Sequence, residues 1–323
     1  RVLFRSRMLT TFSSLCSGLT LARGSVSFAR TLGYATASAA TKGSKASSNA
    51  SAPPAQASKS TSGGSSFFSA LDAAATRNPA KEAIYAAEEG KLSLSFGDLK
   101  RHTQAYALGF LQLGLKSGSS LAVCMETRSE MLLIMAVASR LGLKVNAIDP
   151  YGAEGSILQS LQAGGSAPAA LIADLHPAGK ASPLLSMRDA LPTDCLCLHT
   201  NAAASFPGYL PLRSIPVYND VEGLLEGTAA PSSTVPAGSL QNVTPSSSVL
   251  INGPLWHQDM QAAAFQALTA GARVVIPSMG GNAADAVRIA SLAHATMAVV
   301  TKDSGIKFED RTKVPHLQQV VEV

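Results

Sequence analysis

The sequence predicts an α/β fold, with parallel or mixed sheets flanked by helices. Three observations lead there. Residues 92–150 read as strand, helix, strand, helix, strand. The same alternation returns between Val249 and Thr301. The helical stretches are followed by stop residues, Gly114, Gly142 and Gly271.

Globular sequence begins at Phe67. Phe67, Phe68, Leu71, Ala74 and Ala75 mark one face of a short helix, broken by Asn78-Pro79. Ala83 to Ala87 and Lys91 to Ser95 flank Glu88-Glu89-Gly90, which predicts a hairpin. After Ser95 the period changes. Leu99, Tyr106, Phe110 and Leu113 recur at helical spacing, and Ser95 with Asp98 makes a capping box with Asp in place of Glu. A strand is predicted from Ser120 to Met125, a helix from Ser129 to Leu141 and a strand from Lys144 to Ile148, so that one parallel sheet takes in these strands. The run Met131 to Val137, interrupted further on by Arg140 and Lys144, is too short to span a membrane and predicts a buried helix.

Beyond Pro150, a helix is predicted over 155–163 and strands at 169–173, 195–198 and 215–218. Gly227 to Ser248 is rich in Pro, Ser and Thr and predicts a long loop. Strands at 249–251, 273–277 and 296–301 alternate with helices at 261–270 and 283–295.

The N-terminal residues have another character. Arg1 to Ser6 are similar to a translated sequencing adapter, and Met8 is the expected start. Phe12, Leu15, Cys16 and Leu19 fall on one helical face, Arg23 and Arg30 are cations, and no acid precedes Asp72. That composition predicts a mitochondrial transit peptide over residues 1–34; a secretory signal would need a longer apolar run than Leu19 to Ala22. Residues 35–66, a Ser, Ala, Gly and Lys tract with Pro53-Pro54, are expected to be a disordered or extended arm. Of the 26 Lys and Arg, five lie in the first 34 residues, which leaves 21 against 21 acids. A near-neutral remainder argues against a nucleic-acid surface. The expected division is therefore 67–174 as a first α/β subdomain, 175–248 as an irregular connection and 249–323 as a second.

Several short blocks resemble the acyl-adenylate-forming superfamily of acyl-CoA synthetases and related ligases. Ser95-Phe96-Gly97-Asp98-Leu99 is similar to its Thr-Tyr-x-Glu-Leu segment, and Gly114 to Leu121 to its Gly-Val-x-x-Gly-Asp-x-Val segment. Gly142 and Asp149-Pro150-Tyr151 match a further region loosely. More specific are Pro254-Leu255-Trp256-His257, similar to Pro-Leu-Phe-His, and Ala270-Gly271-Ala272-Arg273-Val274-Val275, similar to Gly-Ala-x-Val-Val. The resemblance implies a truncated N-terminal domain of the acyl-CoA synthetase type.

In that family a phosphate loop, Thr-Ser-Gly-Thr-Thr-Gly-x-Pro-Lys-Gly, precedes the Pro-Leu-Phe-His segment. Glycine lets the backbone approach a triphosphate, hydroxyl and N–H groups cradle it, and Lys supplies charge. This chain has no Lys between Lys180 and Lys302, and only Gly227 and Gly238 in the corresponding loop. The family's ribose-binding Asp and C-terminal domain also lack a counterpart. The expectation is a pseudoenzyme with no cofactor and no catalytic residue: a scaffold subunit among other subunits of a mitochondrial complex, respiratory chain first, in the matrix or on the matrix face of the inner membrane. The alternative is a ligase or an acyl- or CoA-binding protein with a residual pocket at Trp256 and His257.

The remaining constellations favour structural roles. Cys195 and Cys197 share a strand face with His199 two residues on, but no second close pair exists to complete a zinc site. Cys124 reads as core. His257 with Asp259 is a possible general-base pair, against a His packed at a strand end; His294 reads as a structural residue on a helix. Gly280-Gly281-Asn282 suggests an anion-binding turn or a helix cap, and Asn242-Val243-Thr244 is a glycosylation sequon by pattern only.

Overall fold

The computed structural model describes residues 67–87, 92–162, 167–175, 187–218, 240–277 and 283–323, except for 305, 307, 309 and 311. The transit-peptide and arm readings (1–66), the turn at Glu88-Glu89-Gly90 and the triplet Gly280-Gly281-Asn282 lie outside the described residues.

Helix α1 (Phe67–Arg77) leads into the hairpin β1 (Glu82–Ala86) and β2 (Leu92–Ser95), then α2 (Phe96–Gln112). Next come β3 (Ser120–Cys124), α3 (Ser129–Leu141), β4 (Lys144–Ala147), α4 (Glu154–Gln162) and β5 (Ala170–Ala173). The first half closes with β6 (Leu196–His199) and the short β7 (Leu210–Pro211). Then follow β8 (Ser248–Asn252), α5 (Gln258–Thr269), β9 (Arg273–Ile276), α6 (Ala283–Leu292), β10 (Met297–Val300) and β11 (Gln319–Glu322).

Two sheets result. One has the order β4-β3-β5-β6-β7 and is parallel throughout. The other has the order β11-β10-β8-β9-β1-β2 and is parallel except where β1 meets β2. The inner strands β3, β5, β8, β9 and β10 are buried along nearly their whole length because both faces are covered. Along β3, Leu121 and Val123 face one core while Ala122 and Cys124 face another. The first of these cores unites β3, β5, β8 and β9 with α1, α2, α3 and α5, so a layer of helices lies between the sheets. Helix α4 covers the far face of the first sheet, and α6 that of the second. This central position explains α3, whose residues Met131 to Ala138 are all buried.

Local chemistry sets the starts and stops. Ser95 accepts the Asp98 N–H at 3.0 Å and its own N–H reaches the Asp98 carboxylate at 3.4 Å, a complete capping box at α2. Helix α3 stops at Gly142, whose φ of 67° suits glycine.

The structure corrects three expectations and adds one strand. The hairpin β1-β2 does not join β3 and β4; β1 pairs with β9 instead, register Ile84↔Val274. Sheet membership therefore crosses the expected division into 67–174 and 249–323. The segment 215–218 is not a strand. Pro216 has no N–H to donate, and Val217 donates to the Ala105 carbonyl at 3.0 Å, so the segment lies on α2. His294 is not helical: α6 ends at Leu292, and His294 is an exposed turn residue with φ 48°. Strand β11, which the sequence reading left out, pairs with β10 at the sheet edge.

Candidate functional site

In the five-stranded sheet, β4 and β5 lie on opposite sides of β3. The strand order therefore reverses at β3, and open α/β sheets place their ligands beyond the carboxyl ends of the strands at such a reversal. Four of its strands deliver a polar residue to that rim: Glu126 after β3, Asp149 after β4, Asp174 after β5 and Thr200 after β6. The β8–α5 turn of the other sheet adds Trp256 and His257.

Asp174 is the centre of this rim. It is 7% exposed. Its carboxylate accepts the Glu126 N–H at 2.7 Å and the Thr200 hydroxyl, and lies 3.4 Å from the Arg128 guanidinium. Arg128 also stands 3.5 Å from Glu130. A buried carboxylate needs such partners, because desolvation without them would cost several kcal/mol.

Tyr151 forms the outer wall. The Asp149 carboxylate accepts its N–H at 2.9 Å, which fixes the turn after β4. Its hydroxyl donates to Glu126 at 2.8 Å, and its ring lies 5.8 Å from that of Trp256 at 58°. Desolvation of the hydroxyl, then the bond to Glu126, push the phenol well above its ordinary pKa. Tyr151 stays 63% exposed, so one side of this aromatic step faces solvent. The rim thus offers a ring surface beside a carboxylate and a guanidinium.

The two predicted pocket residues part company here. Trp256 is half-buried and packs against the central core. His257 is exposed, at the N-cap of α5 with no side-chain capping bond. It is not the packed strand-end residue of the simpler reading, and Asp259 is likewise exposed in the first turn of α5. The sequence reading missed Glu126, Arg128, Asp174 and Thr200. A signal was present: Asp174 and Glu126 are the polar residues that end apolar strand runs, where α/β sheets place ligands.

Cys195 and Cys197 face the same core as Cys124, and all three are buried free thiols. The Cys197 thiol points to the Cys195 carbonyl at 3.7 Å. Its hydrogen bond from Cys195 pulls Cys197 down and pushes Cys195 up. Burial raises Cys124 to about 12. His199 is buried edge-on to Phe206 at 5.0 Å; desolvation, then Arg213, lower its pKa, so it stays neutral. Among the described residues no three His, Cys, Asp or Glu gather as a metal site, and no helix is long and apolar enough to cross a membrane.

The predicted phosphate-loop region lies largely outside the described residues. Its described end is tied down: Gln266 donates to the Leu240 carbonyl at 2.7 Å and accepts the Leu240 N–H at 3.1 Å.

Residues 71–208 match the family described as AMP-binding enzyme. No curated protein matches the chain. Among solved structures, a long-chain-fatty-acid CoA ligase from Rhodopseudomonas palustris is similar at TM-score 0.62 and 13% identity, covering 81% of this chain and 70% of that one. The N-terminal domain of FACL13 from Mycobacterium tuberculosis is similar at TM-score 0.57 and 14% identity, with 80% and 69% covered. A luciferase-like enzyme from the Zophobas morio mealworm gives 0.59 and 12%, with 80% and 65% covered. Residues 71–208 are thus similar to the AMP-binding enzyme family, and the chain has the α/β fold seen in the N-terminal part of acyl-CoA ligases.

Proposed function

We propose that this chain is a non-catalytic, acyl-CoA ligase-like scaffold subunit of a mitochondrial multiprotein complex, with a respiratory-chain complex as the first assembly to examine. One observation carries the non-catalytic part. No Lys occurs between Lys180 and Lys302, and the 227–248 stretch holds only two glycines. A triphosphate there would lack both the cation and the backbone freedom that its binding requires. The mitochondrial part is supported by the Arg-bearing, acid-free composition before Asp72. Partner subunits are supported by the edge strand β4, where Lys144, Val145 and Asn146 are all exposed.

A second reading keeps a ligand-binding role. The half-open Tyr151–Trp256 step beside Glu126 favours it, since a ring or thioester-bearing chain could lie on that surface. One set of experiments separates the two. Purified protein is incubated with ATP, fatty acid and CoA, and pyrophosphate is followed; turnover would sink the scaffold reading. Trp256 is the only tryptophan, so its fluorescence reports acyl-CoA binding directly. Blue-native gels and mass spectrometry of co-purifying proteins complete the test. Migration solely as a free monomer of about 30 kDa, the mass of a lone chain this size, would count against a subunit role.

A further inference from the structure

Two histidines meet at the opposite end of the six-stranded sheet from the β8–α5 turn. His294 and His316 stand edge to face, with ring centroids 4.7 Å apart and an interplanar angle of 86°. Both are exposed. They are far apart in sequence, and the register of the sheet brings them together. Met297 pairs with Gln319 where β10 and β11 begin, and each histidine lies three residues before its member of that pair. The Thr296 carbonyl accepts the Gln318 N–H at 2.7 Å, which holds the two incoming segments side by side. His294 sits at φ 48°, a conformation few non-glycine residues adopt, although His is among those that do.

We propose that His294 and His316 form a two-imidazole site for a divalent transition-metal ion of the Zn(II), Ni(II) or Cu(II) type, which clamps edge strand β11 to β10. Geometry supports this. A metal about 2.1 Å from each ring nitrogen lies about 3.2 Å from each ring centre. An N–metal–N angle between about 90° and 110° then sets the centres roughly 4.5 to 5.2 Å apart. The observed 4.7 Å falls in that interval before any ion is added. Imidazole is the ligand these ions prefer among the exposed side chains here, and water would fill the remaining positions. The same pair would also explain why an exposed turn carries an unusual backbone angle that a glycine would adopt without cost.

The probe is zinc sulfate, titrated calorimetrically into the full chain and into His294→Asn and His316→Gln. Asn tolerates the left-handed backbone and Gln keeps the bulk, so both variants should fold, which far-UV circular dichroism checks. One zinc should bind per chain and raise the unfolding midpoint by about 5 °C at a hundredfold excess over Kd. Each substitution should weaken binding about tenfold or more, since even loss of a group that merely orients a ligand costs that much. The proposal is overturned if zinc does not bind, if it binds without raising the midpoint, or if binding persists unchanged in either variant.

Discussion

The Thr127 hydroxyl accepts the N–H of Leu255 at 2.9 Å and donates to the Gly253 carbonyl at 3.4 Å. Thr127 follows β3 in one sheet, and Leu255 follows β8 in the other. One buried hydroxyl therefore joins the rims of both sheets and sets where the Trp256 turn meets the end of β3.

Replacing Thr127 with Val keeps the shape and removes both bonds. The Leu255 N–H is then buried without a partner, which costs about 1–3 kcal/mol. Urea unfolding should show a lower midpoint with an unchanged slope. An unaltered midpoint would mean that water replaces the hydroxyl.

Asp174 should be the most sensitive rim position. Asp174→Ala leaves the Glu126 N–H and the Thr200 hydroxyl without their acceptor and removes a partner of Arg128. The expected loss is about 3–5 kcal/mol, as for a broken buried ion pair. Asp174→Asn keeps an acceptor and should lose less. The ranking of the two by chemical denaturation checks the assignment; equal losses would show that charge alone matters.

Gly109 is where 212–218 docks. A Cβ at this position would overlap the Ile215 carbonyl oxygen, a backbone atom that cannot step aside. Gly109→Ala should therefore destabilise by about 1–3 kcal/mol and free the segment from α2. Hydrogen exchange at Val217, whose N–H is bonded to Ala105, should quicken more than exchange in β3.

Acid should weaken α2 through Asp98. The bond from the Ser95 hydroxyl, ahead of other causes, holds this carboxyl below its ordinary pKa of 3.8. A carboxyl depressed in the folded state contributes stability above its unfolded pKa and loses it as pH falls through the folded value. Stability of the native chain should therefore fall more steeply than that of Asp98→Asn from about pH 5 downward, and the two curves should converge in strong acid. Parallel curves would show that the capping box does not titrate.

How much was legible varies by element. The span of α3 and the capping box of α2 could be read from spacing and stop residues, because both are decided within one turn of chain. The 215–218 segment looked like a strand by composition, yet a glycine groove on α2 claimed its backbone hydrogen bond. Trp256 was singled out by its motif, whereas Asp174 and Glu126 were not, since neither belongs to a recurring short pattern. Their importance comes from their position at the reversal of strand order.

The sequence by itself determined the class of fold and the main helices. Those features depend on local period and composition. Only the tertiary structure decided that the β1-β2 hairpin joins the distant strand β9, that Tyr151 meets Trp256, and that His294 meets His316. Parallel strands are paired through long connections, and the choice of neighbour is set by which apolar faces can be buried together, a property of the packed molecule and of no single stretch of chain.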